Sequence, residues 1–78
     1  MTNSALEEKA MNINYADAIL KLRAHFNMSQ EEFAKFLGVS FTSVNRWENG
    51  IHEPTKLAKV KILELVEKYN IKVTKGVE

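Results

Sequence analysis

The stretch that decides the fold is residues 29–50, SQEEFAKFLGVSFTSVNRWENG. It contains two runs with helical periodicity, each about two turns long, separated by the connection Gly38-Val39-Ser40. Ser29 with Glu32 three residues later is typical of a capping box, and the glycine of the connection suits the left-handed residue that ends a helix. Its serine caps the next run, which Asn49-Gly50 closes because these two residue types adopt positive φ most easily. The sequence therefore predicts a helix-turn-helix.

The apolar residues of this stretch fall where two crossing helices need them. We expect Ala34 to face the partner helix, because a larger side chain would push the two helices apart. Trp47 is expected to be a core residue, since it lies one helical turn after Val44 on the same face. The predicted framework of the motif consists of Phe33, Ala34, Leu37, Val39, Val44 and Trp47.

Two further helices are predicted on either side of the motif. Asn14 is an N-cap candidate for a helix over Tyr15 to Phe26 that ends at Asn27. Thr55 caps a last helix that runs to about Tyr69.

The ends of the chain carry weaker signals. Ser4 and Glu7 form a capping-box pattern that predicts a short helix over Ala5 to Met11. We divide the chain into an N-terminal tail or short helix (1–13), a helix-turn-helix domain (14–70) and a C-terminal tail (71–78).

Length and composition exclude several classes of protein. Seventy-eight residues make one domain at most, and the absence of cysteine excludes disulfides and thiolate metal sites. The longest apolar run, Ala18-Ile19-Leu20, is far short of a membrane span. Glu7, Glu8 and Lys9 stand where a signal peptide needs its apolar stretch, so we expect no export and a cytoplasmic protein.

The net charge of +1 is uninformative, but its distribution is not. Six lysines lie between Pro54 and Lys75, against only Glu64 and Glu67. This half of the chain is compatible with a surface that faces phosphates, but the charge alone favours a solvated helix face.

The residues argue against an enzyme. His25 and His52 have no partners at metal-ligand spacing, and there is no glycine-rich phosphate loop. The carboxylate pairs, Glu7-Glu8 and Glu31-Glu32, are adjacent residues that point to different sides of a helix. We expect no catalytic residue, no metal and no cofactor.

The motif resembles helix-turn-helix proteins of the lambda-repressor/Cro type, and in particular their bacterial branch. The resemblance covers roughly residues 15–69 and implies a compact all-α domain of four to five helices. Family members often end in a fifth helix, whereas here one long helix and a short tail stand in its place. The resemblance rests on Leu22-Arg23, Met28-Ser29-Gln30, Phe33-Ala34, Leu37-Gly38-Val39-Ser40, Val44, Trp47-Glu48-Asn49-Gly50 and Pro54.

The resemblance implies that the third predicted helix lies in the major groove of double-stranded DNA. With Val44 facing inward, the outward positions are Phe41, Thr42, Asn45 and Arg46, our candidate base contacts. An arginine pairs with guanine, an asparagine with adenine, and threonine or phenylalanine can contact a thymine methyl group.

Two of these residues can have a structural role instead of a base contact. Phe41 can fold back as a hydrophobic cover over the start of its helix, and Arg46 can pair with Glu48 or Glu53 in solvent.

Phosphate contacts are expected at the edges of the motif. In the family, the glutamine at the Gln30 position contacts the DNA backbone and can buttress the next helix. A lysine in the first turn of a helix, as at position 56, is slightly unfavourable unless an anion lies opposite. The candidate phosphate contacts are Gln30, Ser40, Ser43, Asn49 and Lys56.

The last helix has more apolar surface than one core stripe needs. One stripe consists of Ala58, Ile62, Leu65 and Tyr69. Three further apolar residues lie outside this stripe: Leu57, Val60 and Leu63. They belong either to a wide core stripe or to a homodimer seam. The tail residues Ile71-Lys72-Val73 could add a short strand to such a seam.

Three functions remain open from the sequence. The first is a bacterial or phage transcriptional regulator that acts by occupying an operator. The second is the antitoxin of a toxin–antitoxin pair, which regulates itself through the same motif and holds its toxin through residues 1–13 or 70–78. A protein-interaction module without DNA contacts is disfavoured by the polar outer face of the third helix.

Overall fold

The structure, a computed structural model, describes residues 13–74 of the chain. Within that range the chain forms four helices: α1 (Tyr15–Phe26), α2 (Gln30–Leu37), α3 (Phe41–Glu48) and α4 (Lys56–Lys68). The all-α class and the starts of these four helices are confirmed. The short helix predicted over Ala5 to Met11 lies outside the described residues.

Side-chain caps explain why each helix begins where it does. In each case a side-chain oxygen accepts a hydrogen bond from the backbone N–H three residues further on; the caps are Asn14, Ser29, Ser40 and Thr55. At the start of α2 the capping box is complete, since Glu32 Oε1 also accepts the backbone N–H of Ser29 at 2.9 Å. This hydrogen bond lowers the pKa of Glu32. The sequence pattern therefore set the starting residues correctly.

The helix ends differ from the prediction at one residue. Gly38 takes a left-handed φ of 78°, as the sequence predicts, and α1 ends as predicted at Asn27, whose φ is also left-handed at 55°. At the end of α3, Asn49 keeps a φ of −87° and only Gly50 is left-handed, at 71°. One left-handed residue is enough to reverse the chain direction, and glycine adopts it without a Cβ clash.

α1 is the central helix of the domain. It packs against both α3 and α4, while α2 packs mainly against α3. The Trp47 side chain is only 6% exposed, so its assignment to the core is confirmed. The core cluster contains Tyr15, Ala18, Ile19, Leu22, Phe33, Ala34, Leu37, Val44, Trp47, Ala58, Ile62 and Val66.

The predicted buried stripe of α4 was wrong in part. Ala58 and Ile62 are buried as expected, but the other buried residues are Leu63 and Val66. Leu65 is half-buried and Tyr69 is 38% exposed, so the helix is rotated about its axis relative to the prediction.

The segment after α4 explains this rotation. It turns back at Asn70 (φ 54°), the backbone N–H of Ile71 donates to the carbonyl of Val66 at 2.9 Å, and Ile71 and Val73 pack against the core. Apolar surface near Val66 is therefore covered by the protein's own chain.

Polar contacts hold the same segment along α1. Asn14 donates its backbone N–H to the carbonyl of Thr74 at 2.9 Å, and the N–H of Thr74 donates to Asp17 Oδ2 at 2.9 Å. Lys21 Nζ donates to the carbonyl of Lys72 at 2.8 Å. The hydrogen bond from Thr74, together with Lys21, lowers the pKa of Asp17. Residues 71–73 thus pack on their own chain and form no regular strand.

Candidate nucleic-acid interface

The turn between α2 and α3 fixes the angle of the motif. Gly38 supplies the left-handed residue, and the backbone N–H of Val39 donates to the carbonyl of Ala34 at 2.9 Å. Ala34 is buried, and Val39 packs against the core at the turn. Because Val44 is also buried, the opposite face of α3 is turned towards solvent.

The outer face of α3 is uneven in its exposure. Phe41 is 48% exposed, and Thr42 and Arg46 are exposed. Ser43 and Asn45, next to them in sequence, are half-buried. The predicted base-contact residues therefore lie on one face, but Asn45 is set back from the surface.

A continuous set of side-chain hydrogen bonds connects α1, α2 and α3. Arg23 Nη1 donates to both carboxylate oxygens of Glu48, at 2.9 and 2.8 Å. Gln30 Nε2 donates to Glu48 Oε1 at 3.1 Å, and Asn45 Nδ2 donates to Gln30 Oε1 at 3.1 Å. Asn49 Nδ2 donates to the backbone carbonyl of Asn45 at 2.9 Å and to its Oδ1 at 3.3 Å. We call these five residues the polar bridge.

The ion pair at the centre of the polar bridge is largely shielded from water. The Glu48 side chain is 9% exposed and that of Arg23 is 22% exposed. Arg23 Nε also donates to the carbonyl of Met28 at 3.2 Å, which fixes the plane of the guanidinium. An ion pair with this shielding and these hydrogen bonds resists displacement, since losing either partner leaves a charge without compensation.

The alternative partners considered for Arg46 are engaged elsewhere. Glu48 pairs with Arg23, and Glu53 pairs with Lys59 at 3.3 Å. Among residues 13–74, nothing accepts a hydrogen bond from the Arg46 guanidinium. The solvent ion pair suggested for Arg46 is therefore not formed with either glutamate, and its charge remains on the open face of α3.

Phe41 is covered on one side by its protein neighbours, and its contact with a base stays a prediction. It lines a shallow depression together with Arg23, Ser29, Gln30 and Glu31, at the start of α2. About half of its surface stays exposed, so the ring both covers the junction of the two helices and presents apolar area outward.

The candidate phosphate contacts lie around this face. Ser40 and Ser43 are joined by a hydroxyl–hydroxyl hydrogen bond of 2.9 Å at the start of α3. Gln30 and Asn49 both belong to the polar bridge. Lys56 is exposed in the first turn of α4.

The ion pair of the polar bridge was not foreseen from the sequence, whereas the contact of Gln30 with α3 was among the implications of the family resemblance. Arg23 and Glu48 carry its ion pair although 25 positions separate them along the chain. Both residues belong to the family pattern, but that pattern does not indicate that their side chains contact each other.

Residues 13–74 bring together no group of three metal-ligating side chains, and none of their helices is long and apolar enough to cross a membrane. Neither the curated proteins nor the solved structures contain a significant match to the chain.

A family model described as helix-turn-helix matches residues 19–73, which include most of α1, all of α2 to α4 and the segment that folds back. The match spans well over half of the chain and contains the buried framework and the exposed outer face of α3. The family is one of DNA-binding regulatory domains. The chain belongs to the lambda-repressor/Cro-like, XRE-type helix-turn-helix family and is a DNA-binding regulator of that type.

Proposed function

We propose that this protein binds double-stranded DNA sequence-specifically and regulates bacterial or phage transcription by occupying an operator. It acts in the cytoplasm, without a cofactor and without a catalytic step. The observation that carries the proposal is the outer face of α3, where Phe41, Thr42 and Arg46 are exposed on a helix that the polar bridge holds firmly. Groove readout needs such side chains at fixed positions.

Phosphates of the DNA backbone would be bound at the rim of this face. The start of α2 offers the free backbone N–H groups and the positive dipole end of a helix, beside the Gln30 side chain. Ser40 and Ser43 at the start of α3, Asn49 at its end and Lys56 at the start of α4 complete the proposed set.

A homodimer on DNA is part of the proposal, because one such motif reads only about half of a site. The structure restricts which residues can form its seam. Leu57 is 68% exposed and Val60 is half-buried, so both can contact a second chain. Leu63 is buried inside the domain, and Ile71 packs against the core of the same domain. We therefore propose Leu57 as the centre of the seam, with Val60 beside it.

The antitoxin alternative would use residues 1–13 or 70–78 to hold a toxin. The described part of the second segment, residues 70–74, is bonded to α1 and covers the domain's own core. No contact of the described residues favours a toxin partner over the operator-binding role, so we propose the regulator.

Selection of bound sequences from a random duplex pool at about 0.15 M salt tests the proposal. We expect enrichment of an inverted repeat whose half-site centres lie about 10 base pairs apart. Footprinting on the selected sequence should show two protected half-sites, with two chains bound per duplex. Enrichment of no sequence contradicts the proposal, and protection of one half-site by one chain contradicts the dimer.

Leu57→Lys is the variant that examines the seam, with the exposed Leu20→Lys on α1 as its control. A charge at the seam should reduce occupancy of the second half-site, while the control should bind as the parent does. Equal binding by both variants would exclude Leu57 from the seam.

A further inference from the structure

We infer that the outer face of α3 has two separate tasks: Asn45 positions the helix, while Thr42 and Arg46 read the DNA sequence. The inference rests on the proposed function and specifies the half-site. The half-site then contains a guanine that Arg46 recognises and, at a neighbouring base pair, a thymine whose methyl group Thr42 contacts. Asn45 selects no base, although its residue type suits adenine.

The Asn45 side chain is already used inside the protein. Its Nδ2 donates to Gln30 Oε1 at 3.1 Å, and its Oδ1 accepts a hydrogen bond from Asn49 at 3.3 Å. Recognition of adenine by asparagine needs the amide N–H and the amide oxygen together, pointing at the same base edge. In Asn45 these two groups point at two other protein side chains. The residue is half-buried, so it would have to leave both partners to reach a base.

Asn45 acts through Gln30. Both ends of the Gln30 amide are bonded, Nε2 to Glu48 and Oε1 to Asn45. The Gln30–Asn45 hydrogen bond is thus a direct side-chain tie between the start of α2 and the middle of α3. Without Asn45, Gln30 keeps a bond to Glu48 near the end of α3, and its orientation towards the middle of α3 is lost. We therefore class Asn45 as a positioning residue.

Thr42 and Arg46 are the polar residues left for readout. Both are exposed, and among residues 13–74 neither side chain has a hydrogen-bond or ion-pair partner. Four residues apart, they lie on the same side of α3 and about 6 Å apart along its axis. On a helix in the major groove, residues three or four positions apart contact successive bases, so these two side chains fall on neighbouring base pairs.

The first experiment compares selected sequences for the parent protein, Asn45→Ala and Arg46→Ala. For Asn45→Ala we expect the parental base preference at every position, with affinity for specific and random duplexes lowered alike by about two- to tenfold, the size of one hydrogen bond. For Arg46→Ala we expect the guanine preference to disappear at one position. Loss of an adenine preference in Asn45→Ala would overturn the inference and leave the proposed function intact. Absence of any preference in the parent would overturn the proposed function.

The second experiment is a double-mutant cycle with Gln30→Ala and Asn45→Ala, measured as affinity for the selected duplex. A positioning role through Gln30 predicts that Asn45→Ala has little further effect once Gln30 is alanine. Independent, additive losses would overturn that role. Thr42→Ala is the matched control and should be additive with Gln30→Ala. Circular dichroism verifies folding, and the uncharged, similarly shaped Asn45→Leu replaces the alanine variant in both experiments if that variant unfolds.

Discussion

Residues 29–50 and residues 55–74 are held to the rest of the domain by different kinds of interaction. The helix-turn-helix is fixed by directional hydrogen bonds, above all by Gln30 and Glu48 in the polar bridge. α4 is held mainly by buried apolar side chains such as Ile62 and Val66, and the segment after it by apolar contacts together with hydrogen bonds to α1. At the end of α4, the Tyr69 ring packs 5.0 Å from that of Phe26, centroid to centroid.

The difference matches what each region has to do. Base readout requires side chains at fixed positions, and a shielded hydrogen-bonded network tolerates little displacement of α3. Burial of apolar surface is non-directional and stabilises several orientations of a helix about its axis. The rotation of α4 relative to its sequence pattern is an example. We expect substitutions of the exposed residues on α3 to alter recognition, and those of shielded residues in either region to alter stability.

Trp47→Ala should produce the largest effect, a loss of unfolding free energy, because it removes a buried ring through which α3 packs against the core. Truncating a buried tryptophan costs about 3–5 kcal/mol, which approaches the whole stability of a small domain. Thermal unfolding followed by circular dichroism measures it, with the exposed Leu20→Ala as control. A variant that melts like the parent but no longer binds DNA would show that Trp47 contacts DNA instead.

Arg23→Met breaks the ion pair of the polar bridge and leaves the shielded Glu48 carboxylate with Gln30 alone. We expect a loss of about 2–3 kcal/mol of unfolding free energy. Lys59→Met is the matched control from the other region, since its partner Glu53 is 82% exposed and such pairs contribute little. Urea unfolding of both variants makes the comparison. Equal losses would contradict the distinction between the two regions.

Arg46→Ala and Gln30→Ala should weaken DNA binding in different ways. Loss of Arg46 is expected to cost about 1–3 kcal/mol of discrimination at one base pair, while unfolding free energy changes by less than about 0.5 kcal/mol. Loss of Gln30 should weaken binding to all sequences alike, because it acts on helix position and the DNA backbone. Competition between selected and random duplexes separates the two. Equal losses of Arg46→Ala on both duplexes would make Arg46 a phosphate contact.

Asp17→Asn should have the smallest effect, a loss of under about 1 kcal/mol of unfolding free energy at pH 7. The substitution should loosen the segment after α4, which Asp17 binds. Because the pKa of Asp17 is lowered in the folded protein, its contribution is complete above the unfolded value of about 3.9 and is lost as pH falls through the lower folded value. Hydrogen exchange of the Thr74 amide reports the contact directly. Relative to the intrinsic exchange rate at the same pH, we expect lower protection of this amide in the variant, and in the parent at low pH. Unchanged exchange would show that Asp17 does not hold the segment.

The sequence by itself determined the helix boundaries and the inward face of the motif. Caps such as Ser29 with Glu32, and the left-handed Gly38, involve residues within one turn of each other, so their geometry does not depend on the rest of the fold. The burial of Val44 and Trp47 followed from helical spacing, which also showed that Thr42 and Arg46 face solvent.

Only the tertiary structure decided which polar side chains meet. Arg23 reaches Glu48 because α1 crosses the end of α3, and Asn45 reaches Gln30 because α2 and α3 meet at the angle that the Gly38 turn sets. These pairs depend on helix crossings between residues distant in sequence, and no local pattern encodes a crossing. The same holds for α4, whose buried face was decided by the return of the chain over Val66. Residue type shows what a side chain can bind; the packing of the helices determines which partner it has.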